Sequence, residues 1–280
     1  MCPYRELNAD SNWSDVMQPQ RHEIRSDDGT SIAFWTSGRG QPLLVVHGAA
    51  GTHDTWEMMR GRLDGRCTVA IMDRRVTIGD PFAPLDMERE FEDVAAVARA
   101  LAGDLALVGH SSGALCALGA APLIPRLRHL VLYEPPLERG DHYPIVLEKL
   151  QQLLRAGDID GVYDTWLKEY VRVPKAIAEQ VKASPMGASM RPRAQYLPRE
   201  MAAHLAWTFD AQALRGVAAK TVYLVGSKTP DENAELRGFI PLLEQAVADF
   251  SVRELPGQGH FANFFAPELL AKAILESIAG

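Results

Sequence analysis

Short unbroken apolar runs, separated by stretches with helical spacing, recur along most of the chain and restrict its fold more than any other feature. Leu43–Val46, Val69–Met72, Leu105–Val108, Leu130–Tyr133 and Val222–Val225 are the clearest of them. A strand with no polar alternation is buried on both faces, as in a parallel sheet covered by helices. Ile32–Trp35, after the turn signal Asp28-Gly29-Thr30, and a more alternating segment from Phe250 to Leu255 extend the set. Between the runs, Phe91, Val94, Ala95, Ala98 and Leu101 repeat at helix spacing, and so do Leu269, Leu270, Ala273, Ile274 and Ile278. This alternation predicts an α/β fold: a mostly parallel, eight-stranded sheet with helices on both faces.

The alternation breaks once. From Leu137 to Leu214 no strand pattern stands out; Leu147, Leu150 and Leu154 read as one helix, and Trp166 with Tyr170 as part of another. Ligands of open α/β sheets bind beyond the carboxyl ends of the strands. A helical insertion leaving that edge therefore reads as a cap over the site. The predicted organisation is a loose arm over 1–20, a first core segment over 21–136, the cap over 137–214 and a second core segment over 215–280.

Composition limits the partners. The 280 residues carry 29 Lys and Arg against 36 Asp and Glu, a net charge of −7, with no basic run. That balance excludes a nucleic-acid surface. No apolar run reaches the ~18 residues of a membrane span, and Met1–Gln20 lacks the apolar segment of a signal peptide. Cys2, Cys67 and Cys116 have no metal or redox spacing, which fits a reducing cytoplasm. No cofactor or metal is called for, and the expected state is a monomer or homodimer acting on a hydrophobic small molecule.

The sharpest motif is Gly109-His110-Ser111-Ser112-Gly113, after the strand Leu105–Val108 and before the small-residue helix Ala114–Ala121. Strand, tight turn and helix in that order are the setting of a nucleophilic serine, with Ser111 projecting from the turn. A serine hydroxyl needs a base. His260 is the candidate, in the loop Leu255-Pro256-Gly257-Gln258-Gly259-His260 after the last strand. Two carboxylates compete to orient it. Glu134 stands at the end of Leu130–Tyr133, where Pro135 and Pro136 predict an extended backbone. Asp231 follows the strand Val222–Val225, in Ser227-Lys228-Thr229-Pro230-Asp231. The small residues of His47-Gly48-Ala49-Ala50-Gly51 suit an oxyanion hole built from the N–H of Ala49, with Gly48 beside it, and the N–H of Ser112. His47, His110, Trp166, Tyr170, Tyr196, His204 and Trp207 are candidates for the pocket wall, with packing as the competing role for each.

With these residues, the chain resembles the α/β-hydrolase superfamily from Arg21 to Ala279, most specifically at His47-Gly48, Gly109–Gly113 and Leu255–His260. In its core it is similar to the serine-type lactone hydrolases that open zearalenone, through Ser111-Ser112-Gly113-Ala114, Glu134 before Pro135, Val225-Gly226 with Thr229-Pro230, and Leu255-Pro256-Gly257. That resemblance implies Glu134 as the acid; the cap does not share it. Met72-Asp73-Arg74-Arg75 also resembles a broad actinobacterial hydrolase group. There the following loop usually reads R-G-x-G-x-S, and here it is Val76-Thr77-Ile78-Gly79-Asp80, shorter and more apolar at the pocket's border.

The leading expectation is a serine hydrolase that cleaves an ester or lactone through an acyl-enzyme on Ser111. The altered loop raises a second one, a non-hydrolytic tailoring enzyme of natural-product biosynthesis that runs an elimination (lyase) or cyclisation at the same site. A third is a small-molecule receptor on a hydrolase fold.

Overall fold

The computed structural model describes residues 18–136, 140–229 and 234–279. Eight strands form one sheet: β1 (Gln20–Arg25), β2 (Ser31–Gly38), β3 (Gln41–Val46), β4 (Cys67–Met72), β5 (Leu105–His110), β6 (Leu127–Tyr133), β7 (Lys220–Gly226) and β8 (Phe250–Leu255). Their spatial order is β1-β2-β4-β3-β5-β6-β7-β8. β1 and β2 pair antiparallel, as do β2 and β4, and every later pairing is parallel. Gln20, at the end of the expected arm, already belongs to β1; residues 1–17 of that arm lie outside the described residues.

The unbroken apolar runs are explained by the two faces. Leu44, Val46, Leu107, Leu130 and Leu132 pack on one side with helices α2 (Met87–Ala100) and α3 (Ser112–Ala120). Leu43, Val45, Val108, Val131 and Leu224 pack on the other with α1 (Glu57–Leu63) and the last helix, Pro267–Ile278. Alternate residues of a strand point to opposite faces, so burial on both requires apolar residues throughout. Each such side chain contributes roughly 1.5–3 kcal/mol on burial. No helix among the described residues is long and apolar enough to cross a membrane.

Between β6 and β7 the described residues form helices only, among them α4 (His142–Arg155), α5 (Ile159–Thr165), α6 (Lys175–Lys182), α7 (Pro185–Met190) and α8 (Leu197–Ala206). They share one apolar cluster, in which Leu150, Tyr163, Trp166, Leu167 and Met201 meet Ala49, Ala50 and Phe261 of the core. The insertion therefore sits on the loops that leave the carboxyl ends of β3 and β8. After α5 the chain makes one wider turn, with the N–H of Val171 donating to Trp166 O at 2.9 Å. This i→i+5 bond is a π-turn, and its first residue is Trp166.

Candidate active site

Ser111 follows β5 and precedes α3 with φ 54° and ψ −128°. That is a left-handed conformation for a residue with a side chain, at a cost of about 1–3 kcal/mol. The surroundings hold it there. Ser111 N–H donates to Tyr133 O at 2.8 Å, and Ser111 O accepts from Ala114 N–H at 2.8 Å. The flanking glycines are required by close approach. A Cβ on Gly113 would lie 2.3 Å from the carbonyl oxygens of Val46 and His47, and one on Gly109 would lie 2.5 Å from Ala114 Cα. Without side chains there, the first turn of α3 seats against the end of β3. The leading N–H groups of a helix, Ser112 included, have no partner within it, and the helix dipole adds positive potential at that end.

His260 lies in the loop after β8, and its Nδ1 is 2.7 Å from Glu134 Oε2. Both side chains are buried. A carboxylate only accepts, so the proton is on Nδ1 and Nε2 is left as the basic nitrogen. The other oxygen of Glu134 accepts from Gly226 N–H at 2.7 Å and from the Thr229 hydroxyl. The end of β7 thus supplies donors to Glu134. Asp231 lies outside the described residues. The backbone of Glu134 corrects the extended conformation expected before Pro135: its φ is 48°. Its N–H donates to Leu224 O at 3.2 Å, and this bond and those to the carboxylate hold the residue in the rarer conformation.

Two further groups set the position of His260. Tyr133 hydroxyl donates to Gly259 O and accepts from Ala262 N–H at 3.1 Å. His110 stacks on Tyr133 with ring centroids 4.8 Å apart, and its Nε2–H donates to His260 O at 2.9 Å. Burial, and then the neighbouring His260, push the His110 pKa well below its usual value. His110 thus stays neutral beside any charge that forms on His260.

His47 is placed beneath the glycine loop and contributes nothing to the cavity wall. Its Nδ1–H donates to Gly48 O at 2.8 Å, and its Nε2 accepts from Arg74 N–H at 3.1 Å. Burial, and then the Arg74 guanidinium, push its pKa down to about 4. In the unfolded chain this imidazole titrates near 6.5, so the unfolded state takes up a proton that the folded state refuses. Stability is fully present above pH ~6.5 and declines as pH falls towards 4, by about 3 kcal/mol from His47 alone. His110 acts in the same direction. The expected result is a melting temperature that drops between pH 6.5 and 4, with a shallower drop in His47→Gln; equal slopes for the two proteins would refute it.

Arg74 joins this loop to the rest of the molecule. Its Nε donates to Glu90 Oε2 of α2 at 2.7 Å, and its Nη1 to Glu200 Oε1 of α8 at 2.6 Å. All three side chains are buried. Burial pushes the Glu200 carboxyl up, but Arg74, His204 and His47 together pull it below its normal range, so it stays ionised.

Ser111, His260, Gly48 and Ala49 line one cavity of about 20 Å³ with His110, Trp166, Thr55 and Asn263. Met186, Met190 and Phe261 add apolar side chains to its wall. Among the described residues no Lys or Arg lines it. Several pocket expectations are corrected by packing. Trp207 lies edge-on to Phe91 at 5.7 Å against the α2 side of the core, and lines a separate groove. Tyr170 and His204 are buried within the insertion, where Tyr170 hydroxyl meets His204 Nδ1 at 3.4 Å. Tyr196 reaches Gly79 O at 3.3 Å. The loop Val76–Asp80 lines none of the Ser111 cavity, because Arg199 of α8 holds its carbonyls at Ile78 and Asp80. Asn263 and Thr55 escaped the reading of the sequence. The signal for Asn263 was its place three residues after His260. Among the described residues no group of three His, Cys, Asp or Glu side chains could hold a metal ion.

The model of the Alpha/beta hydrolase family matches residues 43–273. A 2-(acetamidomethylene)succinate hydrolase from Mesorhizobium japonicum is 27% identical over 256 residues, 86% of this chain and 89% of that protein. The crystal structure of an alpha/beta hydrolase from Sphaerobacter thermophilus aligns with a TM-score of 0.75 at 30% identity, over 92% of this chain and all of the other. An enol-lactonase from Burkholderia xenovorans shares the fold, with a TM-score of 0.72 at 17% identity over 92% of this chain and 99% of its own.

Proposed function

This chain belongs to the alpha/beta hydrolase family, and from that premise we propose that it is a serine hydrolase cleaving an ester or lactone of a hydrophobic small molecule. One observation carries the reading: the strained Ser111 shares a cavity with His260, whose far nitrogen is held at 2.7 Å by Glu134. His260 Nε2 takes the hydroxyl proton as Ser111 Oγ attacks the carbonyl carbon. The N–H groups of Ala49 and Ser112 stabilise the oxyanion. His260 then protonates the leaving oxygen, and the acyl group stays on Ser111. Water, deprotonated by His260, attacks that ester and releases the acid. Glu134 keeps the tautomer and stabilises the imidazolium at each step.

The Mesorhizobium relative is named as a hydrolase, which supports hydrolysis over elimination. The loop that suggested a non-hydrolytic reaction adds nothing to the cavity. A wall of Trp166, Met186, Met190 and Phe261, with no Lys or Arg among the described residues, supports a neutral, apolar acyl group. Turnover of aryl acetate and butyrate esters in ¹⁸O-water tests the reading. One labelled oxygen in the released acid is the expected result. An acid without label, or a product lacking the elements of water, would overturn it.

A further inference from the structure

Among the groups of the Ser111 cavity, Asn263 is the one that the proposed reaction leaves unused. Its side chain is 3% exposed. Its Nδ2 donates to Thr55 O at 3.4 Å, with Met186 Sδ at 3.9 Å. Both neighbours are acceptors, so the NH₂ side must face them and the carboxamide oxygen must face away. That Oδ1 is buried and has no partner among the described residues. The adjacent Thr55 hydroxyl is oriented the same way. It donates to Thr52 O at 2.7 Å, leaving only lone pairs for the cavity. Beyond the reacting groups, Asn263 and Thr55 thus turn acceptors toward the cavity, opposite the rings and chains of Trp166 and Met190.

A buried acceptor without a donor carries an uncompensated desolvation cost. A substrate that brings an O–H or N–H removes that cost, and an apolar isostere does not. We propose that Asn263 is a specificity-determining residue, and that the substrate carries a hydroxyl or amide N–H within a few bonds of the scissile carbonyl, donated to Asn263 Oδ1. This rests on the serine-hydrolase reading and narrows its substrate class. It also disfavours a carboxylate at that position, where lone pairs would face lone pairs.

The test is a panel of p-nitrophenyl esters in isosteric pairs: glycolate against propionate, 3-hydroxypropionate against butyrate, and N-acetylglycinate against 4-oxopentanoate. Each kcat/KM is divided by the ester's rate of hydroxide hydrolysis, which removes intrinsic reactivity. In the wild type, at least one donor-bearing ester is expected to exceed its partner by about 10- to 100-fold. In Asn263→Leu that ratio should fall to within about threefold of unity, whatever the absolute rates. Labelling of wild-type Ser111 by a fluorophosphonate, read by intact mass, separates the two levels of the argument. If Ser111 is labelled but no pair shows a preference, the Asn263 assignment is wrong and the hydrolase reading stands. A preference that survives in Asn263→Leu overturns the assignment equally. If Ser111 is not labelled, the reading falls and the assignment with it. Should Asn263→Leu not fold, the wild-type ratios decide alone.

Discussion

Ser111→Ala is expected to abolish covalent labelling by a fluorophosphonate and to lower ester turnover by about 10⁴-fold or more. The wild type should gain the mass of one probe and the variant none. The size of the effect follows from the local geometry. Ser111 is the hydroxyl set on a left-handed turn at the head of α3, with Gly48, Ala49 and His260 around the same cavity. Alanine keeps the turn and the cavity but removes the hydroxyl that the proposed acyl bond requires. The residual rate measures what oxyanion stabilisation achieves with water alone. Glu134→Gln should follow at about 10²–10⁴-fold. The amide places either a donor against His260 Nδ1–H or an acceptor without charge, and it no longer stabilises the imidazolium. An adduct retained in Ser111→Ala would remove the serine from the mechanism. Slowing in Asp231→Asn in place of Glu134→Gln would transfer the orienting role to the later strand.

Arg74→Met is expected to destabilise the fold by about 3–5 kcal/mol. The guanidinium is fully buried between Glu90 and Glu200, which are 1% and 2% exposed. Methionine fills much of the same space but strands two carboxylates in the interior. They must take up protons or draw in water, and both are costly there. The unfolding midpoint in urea should fall sharply at pH 8 and recover in part at pH 5.5, where the stranded carboxyls are protonated more readily. The bond from the Arg74 backbone N–H to His47 is kept in this variant, so the stability loss reads the buried cluster alone. Adding Glu90→Gln and Glu200→Gln should restore most of the stability, since no buried charge is then left unpaired. A loss below about 1 kcal/mol in Arg74→Met would show that the cluster does not hold the insertion to the core.

The strand framework was legible because its cause is local. Leu43–Val46 and Leu105–Val108 are apolar on both sides of the chain, and only a sheet covered on both faces accepts that pattern. The serine turn was legible for a related reason. Gly109 and Gly113 answer to backbone contacts within a few residues and to one neighbouring strand. Glu134 could be named as a candidate from its place at a strand end, although its left-handed backbone ran against the rule for a residue before proline.

The cavity wall was not legible. Trp166 and Trp207 look alike in the sequence, each an aromatic in a helical stretch. Trp166, at the start of the π-turn, lines the Ser111 cavity, and Trp207, just past the end of α8, packs edge-on to Phe91. Apolar burial is non-directional, so either side chain is equally satisfied in either place, and hydrophobicity alone cannot choose between them. Arg74 and Glu200 stand far apart in the chain, and neither carries a mark of the other until the insertion folds back. Asn263 likewise gained its meaning only when Thr55 O fixed its amide and left one oxygen without a donor. The sequence by itself determined the sheet, the serine turn and the loop that bears His260, through periodicity and short-range sterics. The tertiary structure decided which side chains face Ser111, because that depends on how helices from a distant segment pack over the strand ends.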